Sequence, residues 1–400
     1  MRLLFLSFYY RPDLSAGSFR ATALVQAVRE RAPPGTQIDV VTTLPNRYRS
    51  FAPDAPEHEL SAGLEIRRIL LPPHRSDVLG QSRAFGRYAR AVLRHVAGRR
   101  YDIVCATSSR LMTAALGAWI ARRQQARLYL DIRDIFVDTI GDLLPSPLSV
   151  AARGVFSRLE SWTVRHADRI NLVSPGFAEY FRSRYGERPY AWFTNGIDDE
   201  FLSVAPAAAQ AAVGGDGRTA VVYAGNIGAG QALHEILPGL ARALHARARF
   251  VVIGDGGRRR VLEEALRAAA VDNVELLPPM ERGRLLEAYR AADVLLLHLG
   301  AAAAFEKVLP SKLFEYAALG KPLWAGVGGY AAHFIAEEID NAAVFTPGDV
   351  AAAVRAFDAL SLGEHPRPAF IERYRRRHIA ARMADDLLAL LPQHNGASPP

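Results

Sequence analysis

Residues 305–322, Phe-Glu-Lys-Val-Leu-Pro-Ser-Lys-Leu-Phe-Glu-Tyr-Ala-Ala-Leu-Gly-Lys-Pro, hold the side chains best suited to chemistry on an anion. Of 49 basic residues only three are lysines, Lys307, Lys312 and Lys321, and all three fall in this stretch. A chain that uses arginine everywhere else keeps its compact ammonium groups together, as a site needing a point charge would. Pro310 and Ser311 read as a helix start, with Ser311 placed to cap the first amides. Gly320 and Pro322 end that helix about two turns later. Lys312 and Glu315 then share one face beside a helix N-terminus, which attracts anions. On the residues alone this is either an exposed ion pair or the edge of an anion site.

A second group is Asp131-Ile-Arg-Asp134, which follows the apolar run Leu128-Tyr-Leu. Both carboxylates and Arg133 therefore emerge at a strand's C-terminal end, where open α/β sheets place their ligands. Arg133 either neutralises the aspartates or orients one of them as a base or sugar-binding group. Gly17, in the loop after the first strand, sits where such folds bring backbone close to a ligand.

These groups need strands and helices to carry them, and the sequence alternates the two throughout, which predicts doubly wound parallel sheets. In the first half, strands are expected at Leu3–Phe8, Ile38–Thr42, Ile66–Leu70, Ile103–Ala106, Arg127–Leu130, Ile170–Val173 and Ala191–Phe193. In the second half, Ala220-Val-Val-Tyr runs straight into Gly225-Asn-Ile-Gly228-Ala-Gly230, a loop that offers free amides to a diphosphate. Its spacing differs from the dinucleotide fingerprint. Phe250-Val-Val-Ile-Gly254 and Pro322-Leu-Trp with Gly326–Gly329 repeat the strand-to-glycine turn. Helices are expected at Phe19–Glu30, Leu285–Ala292 and Arg373–Leu391. Ser203–Thr219, rich in Ala, Gly and Pro, reads as an interdomain linker, and the last eight residues as a frayed tail.

Four hundred residues suit two domains of ~150–200 residues each. With 50% hydrophobic and 22% charged residues the chain is globular rather than disordered. No apolar stretch approaches the ~18 residues a membrane span needs. The short N-terminal apolar run contains Tyr9 and Tyr10 and reads as a first strand rather than a signal peptide. Cys105 is the one cysteine, which excludes disulfides and thiolate clusters and fits a cytosolic setting. Residues 1–200 carry 28 arginines against 20 acidic residues, and residues 201–400 carry 21 of each sign. The whole +8 excess therefore belongs to the first half, which points to an anionic partner there. Within it, Phe85, Tyr88, Ala89, Val92, Leu93 and Val96 form an apolar helical face, and Arg83, Arg87, Arg90 and Arg94 form a basic one. That basic face is either simply solvated or a cationic stripe for anionic lipid. Its aromatics are not interleaved as stacking platforms, so no nucleic acid is expected.

Taken together, several blocks resemble the GT-B nucleotide-sugar glycosyltransferases of the large retaining group usually called family 4. They are Asn195-Gly-Ile-Asp198, Val252-Ile-Gly-Asp-Gly256 and Asn273-Val-Glu-Leu-Leu-Pro with Leu286-Glu-Ala-Tyr-Arg-Ala-Ala-Asp293. Gly225-Asn-Ile-Gly228 with Gln231, Arg133-Asp134 and Pro310-Ser-Lys-Leu-Phe-Glu-Tyr316 resemble a bacterial subgroup that builds surface polysaccharides. Two positions depart from the family pattern. Counting back eight from Glu315, the first glutamate of the family's Glu-x7-Glu motif falls on Lys307, with Glu306 one residue away. The usual Lys-Gly of the first glycine loop is Gln231-Ala232.

The resemblance implies an α/β fold of GT-B type, two Rossmann-like doubly wound domains facing a cleft, with the C-terminal helix closing back. Expected bounds are 1–200 for the acceptor domain, 201–372 for the nucleotide-sugar domain, 373–392 for the closing helix and 393–400 for a flexible tail. It implies transfer of a sugar, with an N-acetylated amino sugar as one candidate, from a UDP-sugar to a lipid-linked saccharide of bacterial O-antigen, lipopolysaccharide or capsule, with retention. Donor contacts would come from Gly225, Asn226, Gly228, Gln231, Gly254, Pro310, Ser311, Lys312 and Glu315. Catalysis would rest on Lys312, Asp134, Arg133, Glu306 and Lys307, and the acceptor side on Gly17, Arg133 and Asp134. No cofactor is expected, the nucleotide sugar being substrate, and no metal, since no Asp-x-Asp pair occurs. The expected location is the inner face of the cytoplasmic membrane, held peripherally through Arg83, Arg87, Arg90 and Arg94. The alternatives are a GT-B UDP-sugar epimerase, or a catalytically inactive membrane-associated GT-B subunit.

Overall fold

The computed structural model describes residues 1–46, 53–72, 78–108, 111–135, 137, 148–202 and 217–391. Most of the expected linker and all of the expected tail lie outside the described residues. The chain divides into two compact units. One runs to Thr194 and takes the chain back from Arg377, and the other is Asn195–Arg376.

In the first unit the strands are β1 Arg2–Leu6, β2 Gln37–Thr43, β3 His58–Ser61, β4 Leu64–Ile69, β5 Ile103–Thr107, β6 Arg127–Ile132, β7 Arg169–Leu172 and β8 Tyr190–Ala191. They form one sheet in the order β3-β4-β2-β1-β5-β6-β7-β8, parallel except for β3. Parallel strands covered on both faces are apolar along their whole length. Accordingly Ile103-Val-Cys-Ala-Thr107 is buried at every position. β3 went unread in the sequence because it is an exposed edge strand with no apolar alternation. Its signal is Ala62-Gly63, a two-residue turn that folds it antiparallel onto β4. β8 stops at Ala191 instead of running on to Phe193, because the Asn171 Oδ1 atom accepts the Phe193 amide at 2.6 Å.

The second unit has β9 Thr219–Asn226, β10 Ala248–Asp255, β11 Val274–Leu277, β12 Val294–His298, β13 Leu323–Gly326 and β14 Ala342–Phe345. Its sheet is wholly parallel, in the order β11-β10-β9-β12-β13-β14. Trp324 is fully buried in the core of this unit, between the rings of Phe345 and Phe357. The strand order reverses between β9 and β12 here, and between β1 and β5 in the first unit. At such reversals the loops leaving the two strands diverge and open a crevice at their carboxyl ends.

The expected single closing helix is two helices, Pro368–Tyr374 and Arg376–Leu388. The break is at Arg375, whose backbone is extended because Ile197 pairs with it. Beyond the break Ala380, Met383, Ala384 and Leu387 pack into the core of the first unit with Leu3 and Phe5. The helix expected at Leu285–Ala292 begins earlier, at Arg282, and ends at Arg290.

Candidate functional site

The crevice of the second unit is built on Gly225 and Asn226, the last residues of β9. Gly225 lies beside Gly254 of β10, so closely that a Cβ on Gly254 would come within 1.8 Å of the Gly225 carbonyl oxygen. Only glycine permits the two strand ends to converge like this. The loop that follows is held internally. Asn226 Nδ2 donates to Gln231 Oε1 at 2.7 Å, and the Tyr223 hydroxyl donates to the Asn226 carbonyl at 2.7 Å. The short turn Ala303–Lys307 closes over it, with the Phe305 ring against Gly230. The same turn sets the Glu306 backbone against Gly329, where a Cβ would meet the Glu306 oxygen at 2.1 Å.

Helix Ser311–Ala318 starts beside this loop. Its N-cap is Pro310, and no side chain caps it, so the expected capping by Ser311 is not formed. The reason is the one-residue offset: Ser311 is already the first helical residue, one position too late for its hydroxyl to reach back to the free amides. Lys312 crosses to the glycine loop, and a Cβ at Gly225 would lie 2.5 Å from Lys312 Cε. The lysine Nζ lies 4.0 Å from Glu315 Oε2, at the outer limit of an ion pair, and the Glu315 side chain is only 9% exposed. Burial pulls the Lys312 ammonium below its usual pKa, with Glu315 opposing and the Arg282 charge adding to the shift. A partly desolvated cation whose carboxylate stands at arm's length is stabilised by an incoming anion. Glu306 is exposed and Lys307 half-buried in the neighbouring turn.

The contact between Gly225 and Lys312 gives a direct test. Gly225→Ala should displace the lysine stem, in addition to the strain that an L side chain meets at this positive φ. A drop in kcat of about tenfold or more is expected, since small misplacements of a charge-stabilising group are costly. Unchanged kcat in a folded Gly225→Ala variant would show that the lysine position does not matter.

In the first unit, Gly17 and Arg133 meet. A Cβ on Gly17 would lie 2.4 Å from Arg133 Nη1, so the glycine makes room for the guanidinium. The Arg133 amide donates to Ser108 Oγ at 3.0 Å, and Asp134 beside it is exposed. The pair of aspartates is not equivalent. Asp131 is buried and accepts from Nε and Nη2 of Arg20, at 2.8 and 2.9 Å, so Arg20 and not Arg133 is its main partner. Sequence reading missed Arg20 because it lies 111 residues from Asp131 on the inner face of helix Ala16–Arg31.

Three acidic or amide residues of the family-like blocks act structurally. Asp198 is clamped between Arg282 and Arg376, the latter at 2.5 Å. Asn273 donates to the carbonyls of Ala241 and Ala248 at 3.0 and 2.9 Å. Asp293 accepts the Ala220 amide at 2.8 Å and so fixes the start of β9. Among the described residues one trio, Asp39, Glu65 and His95, has the spacing of metal ligands. Arg2, Arg99 and the Tyr101 hydroxyl already donate to Asp39, which makes the trio an ion-pair network. Arg83, Arg87, Arg90 and Arg94 are all exposed on helix Val78–Val96. Leu93, expected on its buried face, is 37% exposed. No described helix is long and apolar enough to cross a membrane.

Residues 20–196 match the model of the glycosyl transferase 4-like domain, and residues 214–377 match that of glycosyl transferases group 1. A comparison with curated proteins finds no match. Among solved structures, a sucrose-phosphate synthase of Thermosynechococcus elongatus is similar with TM-score 0.70 at 15% identity, covering 98% of this chain and 99% of its own. Anabaena HepE in complex with UDP-glucose gives TM-score 0.68 at 15% identity over 98% of this chain and 100% of that one. WaaG, a glycosyltransferase involved in lipopolysaccharide biosynthesis, gives 0.64 at 16% identity over 97% of each. At these identities the likeness establishes the GT-B fold.

Proposed function

The chain belongs to the family-4-like GT-B glycosyltransferases and is a transferase enzyme, and on that premise we propose that it moves a sugar from a UDP-sugar to a lipid-linked saccharide acceptor. The observation that carries the reading is Lys312 laid across Gly225, a buried-stem cation over a glycine loop at the point where the strand order reverses. Support for a uridine diphosphate comes from the Anabaena neighbour, whose structures hold UDP-glucose and UDP. Support for a polysaccharide role comes from WaaG and from a second lipopolysaccharide neighbour, the outer-core galactosyltransferase WaaB.

In this reading the loop Gly225–Gly230 and the start of helix Ser311–Ala318 receive the diphosphate, and Glu315 holds the ribose hydroxyls. Bond cleavage at the anomeric carbon leaves negative charge on the departing diphosphate, and Lys312 with the free helix amides stabilises it. The first unit supplies the acceptor side through Gly17, Arg133 and Asp134. Transfer proceeds with retention, at the inner face of the cytoplasmic membrane, with Arg87, Arg90 and Arg94 of helix Val78–Val96 meeting anionic lipid.

Hydrolysis of a panel of nucleotide sugars, assayed without acceptor, tests the donor. A UDP-sugar should be turned over preferentially. Turnover should also survive EDTA, since the sequence has no Asp-x-Asp pair to hold a metal–diphosphate complex. Loss on chelation with recovery on Mn²⁺ or Mg²⁺ would sink the lysine-based mechanism, and no turnover of any nucleotide sugar would sink the transferase reading of these residues.

A further inference from the structure

The four arginines of helix Val78–Val96 are not equivalent. Arg87, Arg90 and Arg94 line a groove of about 340 Å³, and Arg83 is not part of it. The opposite wall is the end of β4, which adds Arg67 and the apolar side chain of Leu70. Arg67 and Arg68 both line the groove, but Arg67 is exposed while Arg68 is 3% exposed and already bound to Glu59 Oε2 at 3.0 Å and to the Pro56 carbonyl at 2.9 Å. Arg87 donates to the Leu70 carbonyl at 2.8 Å and so pins the helix to the strand end, keeping the groove open. The guanidiniums of Arg67, Arg90 and Arg94 have no hydrogen-bond or ion-pair partner among the described residues, and Glu57 is the one carboxylate of the lining.

Like charges gathered in a concavity repel one another and focus the field on whatever anion enters. Fold stability gives no reason to bring these guanidiniums together. Each has five donors matched to phosphate oxygens, and a groove of this volume is in the range of small-ligand sites. In the groove wall Leu70 is 54% exposed, and Leu93, between Arg90 and Arg94 in sequence, is 37% exposed. A soluble anion needs neither leucine, whereas a ligand at a lipid surface brings apolar chains to both.

We propose that this groove is a discrete phosphoanion site, separate from the residues around Lys312, which takes the phosphate or diphosphate headgroup of a membrane lipid. Arg67, Arg90 and Arg94 bind the headgroup, and Leu70 and Leu93 meet the acyl boundary. The inference deepens the membrane part of the proposed function and rests on that part alone.

The test compares wild type, Arg83→Gln and the triple variant Arg67→Gln/Arg90→Gln/Arg94→Gln. Each is titrated with phosphatidylcholine vesicles containing phosphatidic acid, at about 0.1 M salt, with inorganic diphosphate as soluble competitor. The triple variant should bind at least about tenfold more weakly, and Arg83→Gln should stay within about twofold of wild type. Inorganic diphosphate should compete with the vesicles. If the triple variant melts at a lower temperature, single Arg94→Gln against single Arg83→Gln carries the same comparison. Equal losses at 83 and 94 would replace the groove by an undirected positive face. Diphosphate binding by a wild type that ignores vesicles would assign the site to a soluble ligand and overturn the lipid. Hydrolysis of UDP-sugars, measured in parallel, reads the other unit, so its failure counts against the enzyme reading and leaves the vesicle result standing.

Discussion

Lys312→Ala is expected to lower kcat by about 10²–10³-fold with little change in KM, the size seen when one donor to a developing oxyanion is lost. The expectation follows from geometry. The stem of Lys312 rests on Gly225, its ammonium is partly desolvated, and its nearest carboxylate oxygen stands 4.0 Å away. Such a charge gains most when a second anion appears beside it, and that happens as the sugar leaves the diphosphate. Lys312→Met sharpens the test, because it keeps the stem over Gly225 and removes only the charge. Equal losses in Ala and Met assign the effect to the ammonium, and recovery in Met would make Lys312 a packing residue. Lys321→Ala is the control. Lys321 is bound to Glu364 at 3.2 Å beyond the end of the helix, so its loss should leave kcat unchanged.

How far this site could be read without coordinates depends on how local each part is. The glycine loop is one run of neighbouring residues and the helix start at 310–311 with its three lysines is another, and the chemistry of each was legible from spacing. The contact of Lys312 with Gly225 was not, because it joins residues 87 apart across a strand crossover. The Ser311 cap failed by a single residue, the scale on which helix ends are hardest to place from propensity. Asp131 and Asp134 looked alike in sequence and differ completely in surroundings. A partner on the first helix buries one, and the other faces outward. Asp198, Asn273 and Asp293 mark the family in the sequence, yet each is engaged in holding backbone or a neighbouring arginine. A motif therefore located the fold, and only side-chain partners separated its structural residues from those facing the crevice. β3 was illegible for another reason: an edge strand needs no apolar face, so it leaves no periodic trace.

The largest stability effect is expected at Arg20, where Arg20→Met should cost about 3–5 kcal/mol, the penalty for breaking a buried pair and leaving its partner charged. The Arg20 side chain is 5% exposed and that of Asp131 1%. Arg20 also donates to the carbonyls of Phe193 and Thr194, at 2.8 and 2.6 Å, so one side chain joins the first helix, β6 and the chain leaving β8. Burial by itself would raise the Asp131 carboxyl, but the charge and hydrogen bonds of Arg20, with Asn171 at 2.7 Å, hold it below the usual carboxylate range. Its contribution is therefore fully present above the unfolded value of about 4 and is lost as pH falls through the lower folded value. In Arg20→Met the sign reverses. Burial then dominates, the carboxyl is raised, and the penalty present at pH 7 shrinks as acid protonates it. The stability gap between wild type and variant should accordingly narrow from pH 7 toward pH 4. Hydrogen exchange of the β1 and β6 amides reads this unit without assuming that the whole chain unfolds at once. A gap that stays constant over that range would place the loss in the two carbonyl contacts rather than in the uncompensated charge of Asp131.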